Sequence, residues 1–367
     1  MKASYYIRKD WLDRLGLTIP NGYEALTEAA RSFTYGDPDG NGVKDTYGFG
    51  MPGGASLPQT FPYSFPQFMK HGILGMGYID EAGYFRDGPS DPLMGRVVED
   101  ILAWSDEGLM NPDWFLAKDA DIGNTFAAGK IGMIWTNDAE RWVLDSNPYS
   151  YYRQLKRAVP EAEIVPFNPY PDKPLLTQQS ATVPWMIGKW TVERQPEKAR
   201  AIAKIIDWLA SEEGYLLTTY GQEGVHYTRQ GQVITIIPET YEKEIGLKGN
   251  FLAVWKFLTP RESERIGLRE VDPRLTDRDR SLLRTISEYP LARGTGTLLL
   301  PPEGISIAEF RSTLGQYLLK MMFEDHSGAH WKAYREDLMT EYKGNLIFQE
   351  YIRLMQQAGI DVQSEFQ

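Results

Sequence analysis

Asp121-Ile122-Gly123-Asn124-Thr125-Phe126-Ala127-Ala128-Gly129-Lys130-Ile131-Gly132-Met133-Ile134-Trp135 is the stretch on which the fold class turns. Residues 121–128 carry helix-forming spacing, and Gly129 is a natural stop for a helix. Ile131 to Trp135 then reads as a short buried strand, because its apolar run is too brief for a helix. A helix that feeds a strand through a two-residue turn is the repeating unit of an α/β architecture.

The same alternation continues outward in both directions. Upstream, Leu93, Val97, Ile101 and Trp104 mark a helix, and residues 51–88 form a Gly-, Pro- and aromatic-rich region read as irregular loops. Near the start, Tyr5-Tyr6-Ile7 suggests a strand, followed by a short helix through Trp11, Leu12 and Leu15 that Gly16 stops. Asn21 and Glu24 read as the N-cap pair of a helix carrying Tyr23, Leu26, Ala30 and Phe33. Downstream, prolines punctuate residues 146–180 around a short strand at Ile164-Val165, and Thr182 to Ile187 reads as a strand interrupted by Pro184. Pro196 opens a helix whose face is Ala199, Ile202, Ile206 and Leu209, with Gly214 or Gly221 expected to close it. Val233 to Ile237 reads as a strand, and the charged residues 259–296 as exposed. Ser306 and Glu309 form a capping box before a helix through Ile307, Phe310, Leu314, Tyr317 and Met321. Two more helices follow, around Trp331 to Met339 and Leu346 to Met355.

The 367 residues suffice for two domains or one large α/β unit. Lys+Arg number 39 and Asp+Glu 50, so the net charge is −11. An acidic chain with no long basic run argues against a nucleic-acid partner. No apolar run approaches the ~18 residues needed to span a bilayer, and the opening MKASYYIRKDWL shows no signal peptide. The absence of cysteine removes disulfides, zinc-thiolate sites, iron–sulfur clusters and thiol nucleophiles. With four histidines and no supporting motif, a Ser-His-Asp triad has no basis. The 10 Trp and 21 Tyr suit a surface that grips flat, half-apolar ligands, although some must be core.

Two segments carry chemistry. In Asp37-Pro38-Asp39-Gly40-Asn41-Gly42-Val43-Lys44-Asp45, oxygen ligands fall at positions 1, 3, 5 and 9 of an EF-hand-type loop. The Val43 carbonyl sits at position 7 and Gly42 at the sharp turn. Gly48 stands at position 12, where an EF-hand has a bidentate Glu. The expectation is a structural Ca²⁺ held by Asp37, Asp39, Asn41, Val43 and Asp45; the competing reading is a solvated Asx-rich turn. In Trp135-Thr136-Asn137-Asp138-Ala139-Glu140-Arg141-Trp142, polar and aromatic groups emerge at the carboxyl end of a strand, where open α/β sheets bind ligands. Rings packing on a pyranose face beside an amide, carboxylates and an Arg would suit a sugar. The alternative is that one or both Trp are core. His326 and His330, spaced i, i+4, lack the Glu of a zinc-protease motif and read as a polar helix end.

Tyr6 to Leu17 followed by Pro20, the Asp37–Asp45 loop, the Phe126–Met133 junction, Glu197 to Gly214, and Tyr220 to Tyr227 together resemble extracellular solute-binding proteins of bacterial carbohydrate ABC importers, lipoprotein branch. The resemblance runs over nearly the whole chain, including Tyr334 to Leu338 and Gln357 to Ile360. It implies a periplasmic-binding-protein-like α/β fold of type II, with two lobes, a hinge and the first half of lobe one missing. It divides the chain into residues 1–258, mainly lobe two; 259–302, hinge crossing and the rest of lobe one; and 303–367, C-terminal helices. It implies a binding protein, not an enzyme. The ligand is an oligosaccharide or other small solute, and the partner is the ABC transporter permease in the membrane. The family's full-length form sits on the extracellular face as a membrane-anchored lipoprotein, whereas this chain shows neither signal nor anchor. Trp135, Asn137, Asp138, Trp185 and Glu223 carry over as ligand-binding residues, with Tyr63 and Trp142 beside them. Two other readings compete. A glycoside hydrolase would pair Asp138 or Glu140 with Glu223 across roughly 5–10 Å. A calcium-stapled surface module would take no small ligand.

Overall fold

Ser4–Arg8 (β1) is buried at all five positions, which marks it as a central strand covered on both faces. The computed structural model describes residues 3–52, 65–176, 187–257, 263–292, 294–295 and 299–366. They fall into two units, Met1–Thr182 with Asp279–Gln367, and Val183–Arg278.

In the first unit, β1 lies between β5 (Ile131–Thr136) and β6 (Ile164–Phe167), antiparallel to both, and β2 (Tyr47–Gly50) adds to β5 in parallel. The order is β2-β5-β1-β6. Glycines let a helix lie directly on this sheet. A Cβ on Gly132 would fall 2.2 Å from the Phe33 ring, and one on Gly48 would fall 2.5 Å from the Ala30 carbonyl. The helix Tyr23–Tyr35 therefore buries Leu26, Ala29, Ala30 and Phe33 against β2 and β5. Trp11 meets Phe33 edge-on at 5.3 Å. The helix Met94–Asp106 buries Val97, Val98, Ile101 and Trp104, and the Trp104 indole donates to Thr27 at 3.1 Å. Three C-terminal helices, Ile307–Phe323, Trp331–Thr340 and Gly344–Gln357, complete the core through Phe310, Leu314, Ile347, Phe348 and Tyr351. Gly328, in the turn between the first two, meets Gly95 so closely that a Cβ there would lie 1.9 Å from the Gly95 carbonyl oxygen. A small hairpin, β3 (Gly77–Ile79) and β4 (Phe85–Asp87), and a short parallel pair of β7 (Leu175–Leu176) with Leu291–Ala292 also belong here.

The second unit starts with the helices Lys189–Arg194, Pro196–Ala210 and Glu212–Tyr220. Its sheet joins β8 (Tyr227–Gln230) and β9 (Val233–Ile236) as a hairpin, with β10 (Arg269–Val271) parallel to β9. Tyr215, Leu216 and Tyr220 pack on Tyr227, Ile234 and Ile236 in its own core.

Several sequence expectations are corrected. The units divide at 182/183 and 278/279, whereas the lobes 1–258, 259–302 and 303–367 are what the resemblance implies. The charged run concealed an amphipathic helix, Asp277–Glu288, that buries Leu282 and Ile286. Its Asp279 is fully buried and accepts N–H bonds from Asp145 and Ser146 at 2.7 and 2.8 Å. The cap of Tyr23–Tyr35 is Gly22, with no side-chain bond from Asn21. The helix opened by Pro196 ends before either glycine, because Ser211 caps the next helix by accepting from the Gly214 N–H. Of its expected face only Leu209 is buried. Within 51–88 the structure adds the helix Pro66–Lys70 and the β3–β4 hairpin. Thr182 to Val183 and Pro184 to Met186 lie outside the described residues.

Candidate ligand-binding site

The register of the first sheet gathers polar residues at one edge. Ser4 pairs with Thr136 and Tyr5 with Phe167, so the segments that follow β5 and β6 emerge together. Gly50 pairs with Ile134 and Phe49 bridges Met110, which brings the chain after β2 and Asn111 to the same edge. Three strand ends therefore converge where α/β sheets place their ligands.

Trp135 is half-buried, with part of its ring packed on the core. Thr136 is buried and its hydroxyl accepts the Asp138 N–H at 3.0 Å, which fixes the turn after the strand. Asn137 is exposed on that turn. Asp138 caps the helical turn Ala139–Trp142 by accepting the Arg141 N–H at 3.2 Å. Trp142 is a correction: it is buried between Phe126 and Tyr151, whose ring centroids lie 5.9 and 4.8 Å away. Its ring is used in packing. Arg141 donates to the Tyr151 hydroxyl at 2.9 Å and pairs with Asp119 at 2.8 Å. Burial of Asp119 outweighs this pairing and raises its carboxyl above the usual range.

Sequence reading missed a second set. Gln67, in the first turn of Pro66–Lys70, is fully buried, and among the described residues neither its amide nitrogen nor its oxygen has a hydrogen-bond partner. Among the same residues the Tyr170 hydroxyl, three residues beyond β6, and Oδ1 of Asn111 are also buried without a partner. Asn168 is satisfied: it accepts the Tyr170 N–H at 3.0 Å and donates to the Lys173 carbonyl at 3.0 Å. Lys173 Nζ donates to the carbonyls of Met69 and Lys70 at 3.0 and 3.3 Å, which ties the Pro66–Lys70 helix to the segment after β6. Burial, then the charge of Asp100, raises the Tyr23 hydroxyl. Burial likewise raises Tyr170. Each orphaned atom costs about 1–3 kcal/mol unless something supplies the missing bond. Next to Tyr23 an open groove of about 620 Å³ is lined by Tyr23, Glu24, Thr27, Glu28, Arg31 and Lys70. Lys70 lies 3.9 Å over the Tyr23 ring and pairs with Asp100 at 2.8 Å; His71 meets the same carboxylate at 2.7 Å. The edge thus offers hydrogen bonds and ring faces, the chemistry of recognition.

In the Asp37–Asp45 loop the Asp37 carboxylate accepts the N–H groups of Asn41 and Gly42 at 3.0 and 3.1 Å. Lys130 Nζ reaches both Asp39 (3.2 Å) and Asp45 (2.6 Å). The hydrogen bond to Lys130 holds the Asp45 carboxyl below its usual range. Oδ1 of Asp39 is buried without a partner. Among the described residues no three His, Cys, Asp or Glu side chains converge as a metal site. The two helix-end histidines each face a carboxylate: His326 meets Asp106 at 2.9 Å and His330 meets Asp325 at 3.1 Å. Glu223 is exposed in the second unit, on the turn after Glu212–Tyr220. Tyr63 and Trp185 lie outside the described residues.

The fold is the α/β fold of the periplasmic-binding-protein-like type II class, which the solved solute-binding proteins share. A saccharide-binding relative and solute-binding proteins of ABC transporters among the structural neighbours bear out the resemblance drawn from the motifs. The polygalacturonan/rhamnogalacturonan-binding protein YtcQ of Bacillus subtilis (strain 168) is 26% identical over 229 residues, 61% of this chain and 43% of its own length. Lipoprotein LipO of the same organism is 25% identical over 270 residues, 71% and 51%. The chain thus spans about half the length of the curated relatives it matches. The S. pneumoniae ABC-transporter substrate binding protein FusA, an EF-hand mutant in complex with fructo-nystose, matches with a TM-score of 0.60 at 16% identity, over 98% of this chain and 73% of that one. No family model matches. No described helix is long and apolar enough to cross a membrane.

Proposed function

We propose that this chain binds a saccharide solute at the carboxyl edge of its first sheet and serves a carbohydrate ABC importer. The observation that carries this reading is the set of orphaned buried groups at that edge, Gln67, Tyr170 and Asn111, beside the half-buried Trp135 and the exposed Asn137. A polyhydroxylated ligand supplies both donors and acceptors to such groups, and a ring face takes its C–H surface. Asp138 orients the turn, while Trp185, Glu223 and Tyr63 are carried as ligand residues by the resemblance alone. The solute is bound and released intact. Hinge closure on the ligand, delivery to a membrane permease and anchoring as an extracellular lipoprotein belong to the same reading; its support is a relative that binds polygalacturonan and rhamnogalacturonan, a lipoprotein relative, and a neighbour in complex with fructo-nystose.

The test is thermal unfolding against galacturonan and fructan oligosaccharides. At 100 times its Kd a ligand adds about 2.7 kcal/mol of stability. A shift with one class and intact sugar recovered supports the reading. A shift accompanied by shortened sugar makes the chain a hydrolase, and no shift with any saccharide removes the sugar assignment.

We also propose that Ca²⁺ is held by Asp37, Asp39, Asn41, the Val43 carbonyl and Asp45. The hard oxygen set fits, and the orphaned Asp39 oxygen is a ligand without a present role. The ion would act as a structural staple and would compete with Lys130 for Asp39 and Asp45. The structural neighbour FusA carries an EF-hand, which supports the reading.

A further inference from the structure

The Asp37–Asp45 loop runs on to a position where no ligand side chain fits. Position 12 is Gly48, on β2, and a Cβ there would fall 2.5 Å from the Ala30 carbonyl oxygen. A glutamate therefore cannot close the loop from that position. A cation closes it instead. Lys130, directly before β5, puts its ammonium between Asp39 (3.2 Å) and Asp45 (2.6 Å). Its backbone is held on both sides: the N–H donates to the Thr125 carbonyl at 3.2 Å, and the carbonyl accepts the Tyr47 N–H at 2.8 Å. Tyr47 comes two residues after Asp45 and pairs with Ile131, so the register of β2 on β5 delivers the ammonium to the loop. The other oxygens are also served from within the chain. Both Asp37 oxygens accept N–H groups, those of Asn41 and Gly42. The Asn41 side-chain oxygen accepts the Val43 N–H at 2.6 Å, and the Val43 carbonyl accepts the Asp45 N–H at 3.0 Å. Oδ1 of Asp45 accepts from the Asn41 amide at 3.3 Å. Of the proposed calcium ligands, only Oδ1 of Asp39 has no partner among the described residues.

We infer that Lys130 is the loop's built-in counter-cation: it holds Asp39 and Asp45 together when calcium is scarce, and calcium binds only by expelling it. The inference rests on the calcium reading above. Two positive charges cannot share one pair of carboxylates at contact distance, because their mutual repulsion cancels most of what the second one gains. The ammonium is also tethered, so an incoming ion competes against a high effective concentration. Lys130 thus lowers the calcium affinity of the loop and gives it a fold that does not depend on the ion. A surface ion pair with a purely structural role would not lower that affinity.

The experiment titrates chelator-treated protein with Ca²⁺ by calorimetry in the parent, Lys130→Met and Lys130→Arg, and records the Tm of each in chelator and in calcium. Lys130→Met keeps the length of the side chain and removes its charge. It should bind Ca²⁺ at least about tenfold more tightly than the parent, melt lower in chelator, and gain more Tm from calcium. Lys130→Arg keeps the charge and should bind like the parent. Equal or weaker binding in Lys130→Met overturns the inference and leaves the calcium reading intact. Tightened binding in both variants means that packing rather than charge is at work, which also overturns it. Neither heat of binding nor a calcium-induced Tm shift in any of these proteins removes the calcium reading, and this inference with it.

Discussion

Gln67 is the residue where stability and recognition pull in opposite directions. A buried amide with neither atom bonded is a cost that an apolar side chain of similar shape would not incur. Gln67→Met should therefore raise the stability of the ligand-free protein by about 1 kcal/mol and weaken saccharide binding at least tenfold. Denaturant unfolding and titration calorimetry check the two halves; a destabilised variant with unaltered binding would make Gln67 a packing residue. Asp39 is the corresponding test of the calcium loop. Asp39→Ala should lower the Tm more in calcium than in chelator, because in chelator only the bonds to Lys130 and Asn41 are lost. Equal losses in the two buffers would remove the metal. Neither Gln67 nor Tyr170 could be picked out from the sequence: whether a polar group is satisfied depends on what the fold brings next to it. The turn at Asn137 and Asp138 was legible as the end of a strand, because Ile131 to Trp135 reads as one.

At the scale of elements, the turn joining Ile307–Phe323 to Trp331–Thr340 carries a titratable contact. His326, in a left-handed backbone conformation, bonds to Asp106 on Met94–Asp106, and that carboxylate raises its pKa. The contact's contribution is complete below the ordinary imidazole pKa and fades as pH rises through the raised value. Both side chains are more than half exposed, so the effect is below about 1 kcal/mol. Stability should decline slightly from pH 6 to pH 8 in the parent and lose that slope in His326→Gln; an unchanged slope would place its origin elsewhere. Most elements were legible from period alone: β1, β5, the helix through Trp104 and the Ser306-capped helix all stand where the spacing puts them. The exceptions share a cause. Pro66–Lys70 has five residues, too few to show a period, and Asp277–Glu288 hides three buried positions among charges.

For the molecule as a whole, the two units rest on cores of different size. The first joins the sheet, the helices upon it and the C-terminal helices in one apolar cluster, whereas the second relies on a smaller tyrosine-rich one. Calorimetry of the isolated chain should resolve two transitions, the lower one belonging to Val183–Arg278. A single transition with equal calorimetric and van't Hoff enthalpies would show that the units unfold together. Length alone left two domains or one large unit open, and composition carries no mark at 182/183 or 278/279. Domain membership follows burial, and Asp279 sits among charges in sequence yet at zero exposure in the fold.

The first unit is made of two separated stretches of chain, Met1–Thr182 and Asp279–Gln367. This has a consequence during biosynthesis. When Thr182 leaves the ribosome, the strands of the sheet are all present, but Phe310, Leu314 and Phe348 are not, so the aromatic side chains they will cover stay wet. At about 5–20 residues/s the wait lasts about ten to forty seconds. Meanwhile Val183–Arg278 is continuous and can fold as it emerges. A message cut short after that segment would yield a finished insert on an unfinished host, the kind of nascent chain that chaperones hold and proteases clear.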